Sequence, residues 1–222
     1  MLNQIKALLV TVFLFGGVIW FALGKPSIGL PEFPTLFDKK EKTTVKSSKR
    51  QSSKSSSKYN KGQVIDNYKG VDVFFNGSVG NVSGRNTTKD GYNLGLKYQC
   101  VELAKRFYYE AYGHKMPDSY GHAKDFFSSA VPDGGYNKAR NMTQFYNGSL
   151  TPPRADDLGI IGPSPYNKYG HLFIVTKVTA SEVSFIQQNP GQGNPSRGVY
   201  RLTHQNGRYT IDCEGLLGWL RI

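Results

Sequence analysis

Cysteine is scarce in this chain, with only Cys100 and Cys213 among 222 residues. Two thiols cannot staple a disulfide scaffold, and with no CxxC pair and no Cys/His cluster there is no structural zinc site to assign. A single Cys100–Cys213 bridge remains open to an exported protein. Acidic residues are also few, 16 against 28 basic ones, for a net charge of +12. Spread over a folded surface, that excess would suggest nucleic acid. It is concentrated instead: between Lys39 and Lys61 nine basic residues meet one acid, and residues 1–38 balance, which leaves +4 for the rest. That is an ordinary value for a small domain, and no recognition motif accompanies it, so a nucleic-acid partner is set aside.

Long apolar runs are missing too, save one. Residues 7–24, ALLVTVFLFGGVIWFALG, carry no charge, and as a helix of 18 residues they would rise about 27 Å, just enough to cross a hydrocarbon core. The expectation is an uncleaved single-pass membrane anchor over residues 1–25. The alternative is a cleavable signal, for which Ala22 and Gly24 supply small residues. Charge after the run (Lys25, Lys39, Lys40, Lys42) favours a cytoplasmic C-terminal side. Large domains translocate despite such charge, and an extracytoplasmic placement is preferred. Residues 26–62, Pro-containing and then rich in Ser and Lys, have too few apolar residues to offset the entropy of ordering and read as a disordered basic linker. The folded domain is assigned to residues 63–222.

Within that domain, residues 64–99 are rich in Gly and Asn and read as loops with a short strand. From Cys100 to Tyr112 apolar residues recur at 101, 104, 108 and 111, with Gly113 as a stop, which predicts a helix. A shorter helix is predicted over 122–129. Beyond Pro153 the pattern turns to β-rich runs at 158–161, 171–178, 182–188, 198–202 and 217–222. Helices followed by an antiparallel sheet define an α+β class.

The segment YQCVELAKRFYY sets Cys100 in the first turn of an amphipathic helix, where unpaired N–H groups and the helix dipole favour a thiolate. GHLFIV puts His171 at the head of an apolar strand behind a Gly/Pro/Asn/Tyr loop, so that its imidazole can face a cleft. A cysteine on a helix and a histidine on a later strand is the arrangement thiol hydrolases use. A third group must orient the imidazole. In FIQQNPG, strand alternation puts Gln187 and Asn189 on one face and Gln188 on the other, so either Gln187 or Asn189 can accept the His171 N–H.

These residues together resemble the CHAP family of cysteine, histidine-dependent amidohydrolases and peptidases, of papain-like fold. YQCVELAKRFYY resembles its cysteine helix, PRADDLGIIG its P-x-x-G-D strand lead-in, GHLFIV its histidine strand, FIQQN its E-Q-N strand and LLGWLRI its closing strand. The resemblance implies Cys100 as nucleophile, His171 as base, Gln187 or Asn189 as orienter, and Gln99 beside the Cys100 N–H in an oxyanion hole. Neither a metal nor another cofactor is implied. Two departures stand out. Many members have Glu where Gln187 stands, and A-D-D replaces G-D, with Asp157 the better match for the acid. Glu102 reads as a salt-bridge partner on the helix. The implied substrate is a peptide or amide bond in peptidoglycan. The alternatives are a glutathionylspermidine-type small amide and a catalytically silent binding domain.

Overall fold

The computed structural model describes residues 58–191 and 193–222. The proposed anchor and most of the basic linker therefore lie outside the described residues. Among the described residues no helix is long and apolar enough to cross a membrane. In chain order the elements are β1 (Val64–Tyr68), β2 (Val71–Phe74), β3 (Arg85–Thr87), β4 (Asn93–Leu96), α1 (Cys100–Tyr112), a 3-10 turn (Ala123–Phe126), β5 (Gly135–Asn137), β6 (Met142–Tyr146), β7 (Leu158–Ile161), β8 (His171–Val178), β9 (Glu182–Gln187), β10 (Arg197–Gln205), β11 (Arg208–Ile211) and β12 (Leu216–Arg221). Eight strands form one antiparallel sheet in the order β11-β10-β9-β8-β7-β12-β6-β5, and two small hairpins, β1-β2 and β3-β4, stand apart from it.

The expected pair of helices on a sheet is corrected by this arrangement. The described domain is mostly sheet with one α-helix. α1 has the predicted bounds, and it stops where Gly113 turns left-handed at φ 64°, its N–H bonding the Tyr109 carbonyl at 2.9 Å while His114 N–H bonds that of Tyr108 at 3.0 Å. The second predicted helix is only the 3-10 turn, and Phe127 is already extended. Side-chain amides from the β5-β6 hairpin take its place: Asn137 donates to the Phe126 carbonyl at 3.1 Å, and Gln144 accepts from Ser128 N–H at 3.0 Å. With these backbone groups bonded laterally, nothing favours another helical turn. The Gly/Asn-rich stretch before α1 forms two hairpins rather than loops with one strand.

Alternation along the central strands sorts the core onto two faces. Leu172, Ile174 and Ile186 pack in one cluster with Leu103, Ala104, Phe107 and Tyr108 of α1. Phe173, Val175, Val183 and Phe185 join Trp219 in a second. α1 therefore lies along the sheet with its first residue at the head of β8. The close fit demands glycine at one place above all. At Gly218 on β12, with φ 155°, a Cβ would fall 1.9 Å from the Phe145 carbonyl oxygen. Gly218→Ala must push β12 from β6 and is expected to cost about 3 kcal/mol, lowering Tm by about 10 °C at the usual conversion for a domain of this size. A thermal melt within about 2 °C of the parent would refute this account of the strand contact.

Candidate active site

Gln99 caps α1 in extended conformation (φ −90°, ψ 164°), yet its side chain makes no capping bond. The Cys100 N–H follows as a first-turn donor with no intrahelical acceptor available to it. The cysteine sulfur lies against His171 at the head of β8, close to the Leu172 and Val101 N–H groups. Both residues are half-buried. Burial works to raise the Cys100 thiol, but the His171 charge, its hydrogen bond and the two N–H groups outweigh burial, and the net displacement is downward. Burial likewise works to lower His171, and the Cys100 charge, the sulfur hydrogen bond and Gln187 outweigh it, so the imidazole is raised. The two shifts have the signs of a thiolate–imidazolium pair.

Gln187 Oε1 is 3.0 Å from His171 Nε2, which leaves Nδ1 for the sulfur. The sheet register accounts for this contact. Gln187 is paired with Phe173, so His171, two residues along β8, is its diagonal neighbour on the same face. Gln187 is in turn held by its amide N–H, which donates to the Pro195 carbonyl at 3.0 Å. Since the acceptor is neutral, the imidazolium has one oriented dipole behind it instead of a carboxylate.

Asn189 is not at His171. β9 ends at Gln187, and Asn189 turns left-handed at φ 54°, which carries its side chain out of the strand's alternation. Its amide donates to Gln99 Oε1 at 2.7 Å and to the Val79 carbonyl at 3.0 Å. Gln99 also departs from expectation. Its amide nitrogen donates to the carbonyls of Asn81 (2.8 Å) and Val79 (3.2 Å), so both hydrogens are engaged with the 79–81 loop and neither is offered to an oxyanion. Gln99 and Asn189 thus brace each other against the 79–81 loop.

Glu102 is fully buried and, as the sequence suggested, salt-bridged: Arg106 Nε is 2.7 Å from Oε1, and Asn86 Nδ2 is also 2.7 Å from it. Gln188, which sequence reasoning left without a role, completes this cluster by donating to Glu102 Oε2 at 2.8 Å. Alternation places Gln188 opposite Gln187 but does not reveal that the helix start lies there. A cavity of about 260 Å³ lined by Phe74, Tyr98, Glu102, Arg106 and Glu110 adjoins this cluster without including Cys100 or His171.

The A-D-D departure also has a structural reading. Asp157, 1% exposed, receives Arg221 Nη2 at 2.6 Å and the Arg154 N–H at 2.8 Å, so it ties the lead-in of β7 to β12. Asp156 has φ 73°, a left-handed conformation that suits the glycine of the G-D pattern and that Asp tolerates better than most residues. Its carboxylate is taken up by Tyr112 (2.6 Å), Tyr68 (2.9 Å) and Lys69 (2.5 Å).

A half-buried thiol paired with an imidazole, the imidazole oriented by an amide oxygen, and a first-turn helix N–H beside the sulfur make a constellation suited to acyl transfer. The family model for the CHAP domain matches residues 89–189, a span that holds Cys100, His171, Gln187 and Asn189, and the chain carries a CHAP domain there. Among curated proteins it is similar to the trypanothione synthetase of Crithidia fasciculata, 30% identical over 149 residues, covering 62% of this chain and 23% of that protein. It is also similar to the bifunctional glutathionylspermidine synthetase/amidase of Escherichia coli (strain K12), 31% identical over 142 residues, covering 59% of this chain and 23% of that protein. The chain thus spans less than a quarter of the length of these relatives. A solved endolysin, LysIME-EF1, aligns at 21% identity and a TM-score of 0.35, covering 64% of this chain and 60% of the other.

Proposed function

We propose that this protein is a cysteine amidase or endopeptidase that cuts amide bonds in peptidoglycan peptides through Cys100 and His171. The observation that carries the reading is the placement of the Cys100 sulfur against His171, whose far ring nitrogen meets Gln187 Oε1 at 3.0 Å, and the downward displacement of the thiol and upward displacement of the imidazole accord with it. The Cys100 thiolate adds to the carbonyl carbon, and the Cys100 N–H receives the developing oxyanion. His171 gives its proton to the leaving amine, the C–N bond breaks and a thioester remains on Cys100. Water, losing a proton to His171, then releases the acid and restores the thiol. Peptidoglycan is favoured as substrate by the family resemblance and by the run at 7–24 and the basic tract after it, read as a membrane anchor and a leash toward an anionic wall, with the domain extracytoplasmic. A second reading, cleavage of a small amide such as glutathionylspermidine, is favoured by the name of the Escherichia coli relative.

The test exposes purified peptidoglycan and glutathionylspermidine in parallel to the full chain under reducing conditions and identifies products by mass spectrometry. Peptide fragments with new amine and carboxylate ends are expected from peptidoglycan. Intact peptidoglycan beside cleaved glutathionylspermidine would transfer the assignment to the second reading.

The role given to Gln187 makes its own prediction. Gln187→Ala removes the acceptor that helps hold the imidazolium, so the His171 pKa falls and the alkaline limb of the pH–rate profile moves toward lower pH. One hydrogen bond to a charged group accounts for a loss of about 10- to 100-fold in kcat. An unmoved alkaline limb would show that Gln187 does not support the base.

A further inference from the structure

Gln188 is a glutamine with no exposed surface, a costly placement unless every polar atom finds a partner. Each does. Its Oε1 accepts the Phe74 N–H at 2.8 Å, and the two hydrogens on its nitrogen go to Glu102 Oε2 at 2.8 Å and to the Gln99 main-chain carbonyl at 3.0 Å. Glu102 is itself fixed by Arg106 and Asn86, so the amide that reaches Gln99 is clamped from behind.

The Gln99 carbonyl belongs to the same peptide group as the Cys100 N–H. That group is planar, so aiming one end aims the other. The helix bonds this carbonyl through Glu102 N–H at 3.1 Å and Leu103 N–H at 3.3 Å, and the Gln188 contact is the shortest of the three. A hydrogen bond to the carbonyl also polarises the N–H on its other side, a cooperative strengthening of order 10–30% per bond.

We propose that Gln188 is a positioning residue for the Gln99–Cys100 peptide, holding and polarising the Cys100 N–H as the oxyanion donor. The inference rests on the hydrolase reading above and deepens it. Gln188 touches no substrate. Two adjacent residues thereby serve both halves of the site: Gln187 orients the base, and Gln188 orients the peptide at the nucleophile.

Two reagents separate this role from general structural support. 4-Nitrophenyl acetate acylates a thiolate through a tetrahedral oxyanion: the S–C bond forms, 4-nitrophenolate leaves and acetyl remains on Cys100 until water removes it. Iodoacetamide alkylates by displacement of iodide at saturated carbon, with no oxyanion. In the full chain, Gln188→Met replaces the amide by an apolar group of similar length. Acylation, measured as nitrophenolate release above that of Cys100→Ala, is expected to fall about 10- to 100-fold, part of the loss found when an oxyanion donor is deleted. Alkylation of the Cys100 peptide, followed by mass spectrometry across pH, should stay within about twofold with an unmoved midpoint. Should Gln188→Met not fold, Gln188→Asn withdraws the amide by one methylene and is expected to show the same divergence in smaller measure. Equal falls in both rates, or no fall in either, would overturn the proposal while leaving the thiolate chemistry standing. A wild-type Cys100 inert to iodoacetamide at neutral pH would overturn the hydrolase reading and this inference with it.

Discussion

Cys100→Ala is expected to lower amide hydrolysis by about 10⁴-fold or more, with the fold unchanged. The size follows from the mechanism: without the sulfur there is no thioester path, and the residual rate comes from substrate binding and the oxyanion donor alone. Removing one side chain at the start of α1 leaves intact both the buried cluster of Leu103, Ala104 and Phe107 and the Glu102–Arg106 pair, so the thermal melt should stay close to the parent. Initial rates on peptidoglycan fragments, with circular dichroism of the same samples, check both parts. A variant that retained more than about a tenth of the rate would remove Cys100 from the chemistry.

His171→Ala carries the second large effect, and its sign can be read from the site. In the parent, burial pushes the Cys100 thiol up and the imidazolium charge pulls it below the ordinary value. Deleting the imidazole removes the downward influence and keeps the burial, so the thiol pKa should rise to the ordinary value or beyond. At pH values below the ordinary thiol pKa the thiolate fraction, and with it alkylation by iodoacetamide, should fall by about 10-fold or more, whereas well above that pKa the two proteins should converge. Hydrolysis loses more, about 10³- to 10⁵-fold, because the acid that protonates the leaving amine is gone as well. Superimposable alkylation profiles would show that the two residues are not electrostatically paired.

The parts of the fold legible in the sequence were those with strong period. The spacing at 101, 104, 108 and 111, closed by Gly113, marked α1 to the residue, and the run HLFIVTKV marked β8 with equal sharpness because both faces of that strand are buried. The β5-β6 hairpin escaped because GYN and MTQFY lack apolar alternation and are held by amide contacts such as Asn137 to Gln144. The false second helix had the same cause, since those amides bond the backbone that a helix would have needed. At the site, residue type and order pointed to Cys100 and His171, but period 2 could not choose between Gln187 and Asn189. The choice depends on β9 ending at Gln187 and on the left-handed turn at Asn189. Gln188 was invisible for a different reason. Its partners, the Gln99 carbonyl and Glu102, are 89 and 86 residues away, and only the packing of α1 against the end of β9 joins them.

The claim that most needs direct proof is the covalent intermediate on Cys100. The full chain should be mixed with peptidoglycan stem peptides, quenched in acid within the first turnovers and digested for mass spectrometry. The account predicts that the peptide bearing Cys100 gains the mass of the acyl portion of the substrate through a hydroxylamine-labile thioester, and that this adduct is absent from Cys100→Ala. Substrate turnover with no such adduct, continuing after Cys100 has been alkylated to completion, would contradict it.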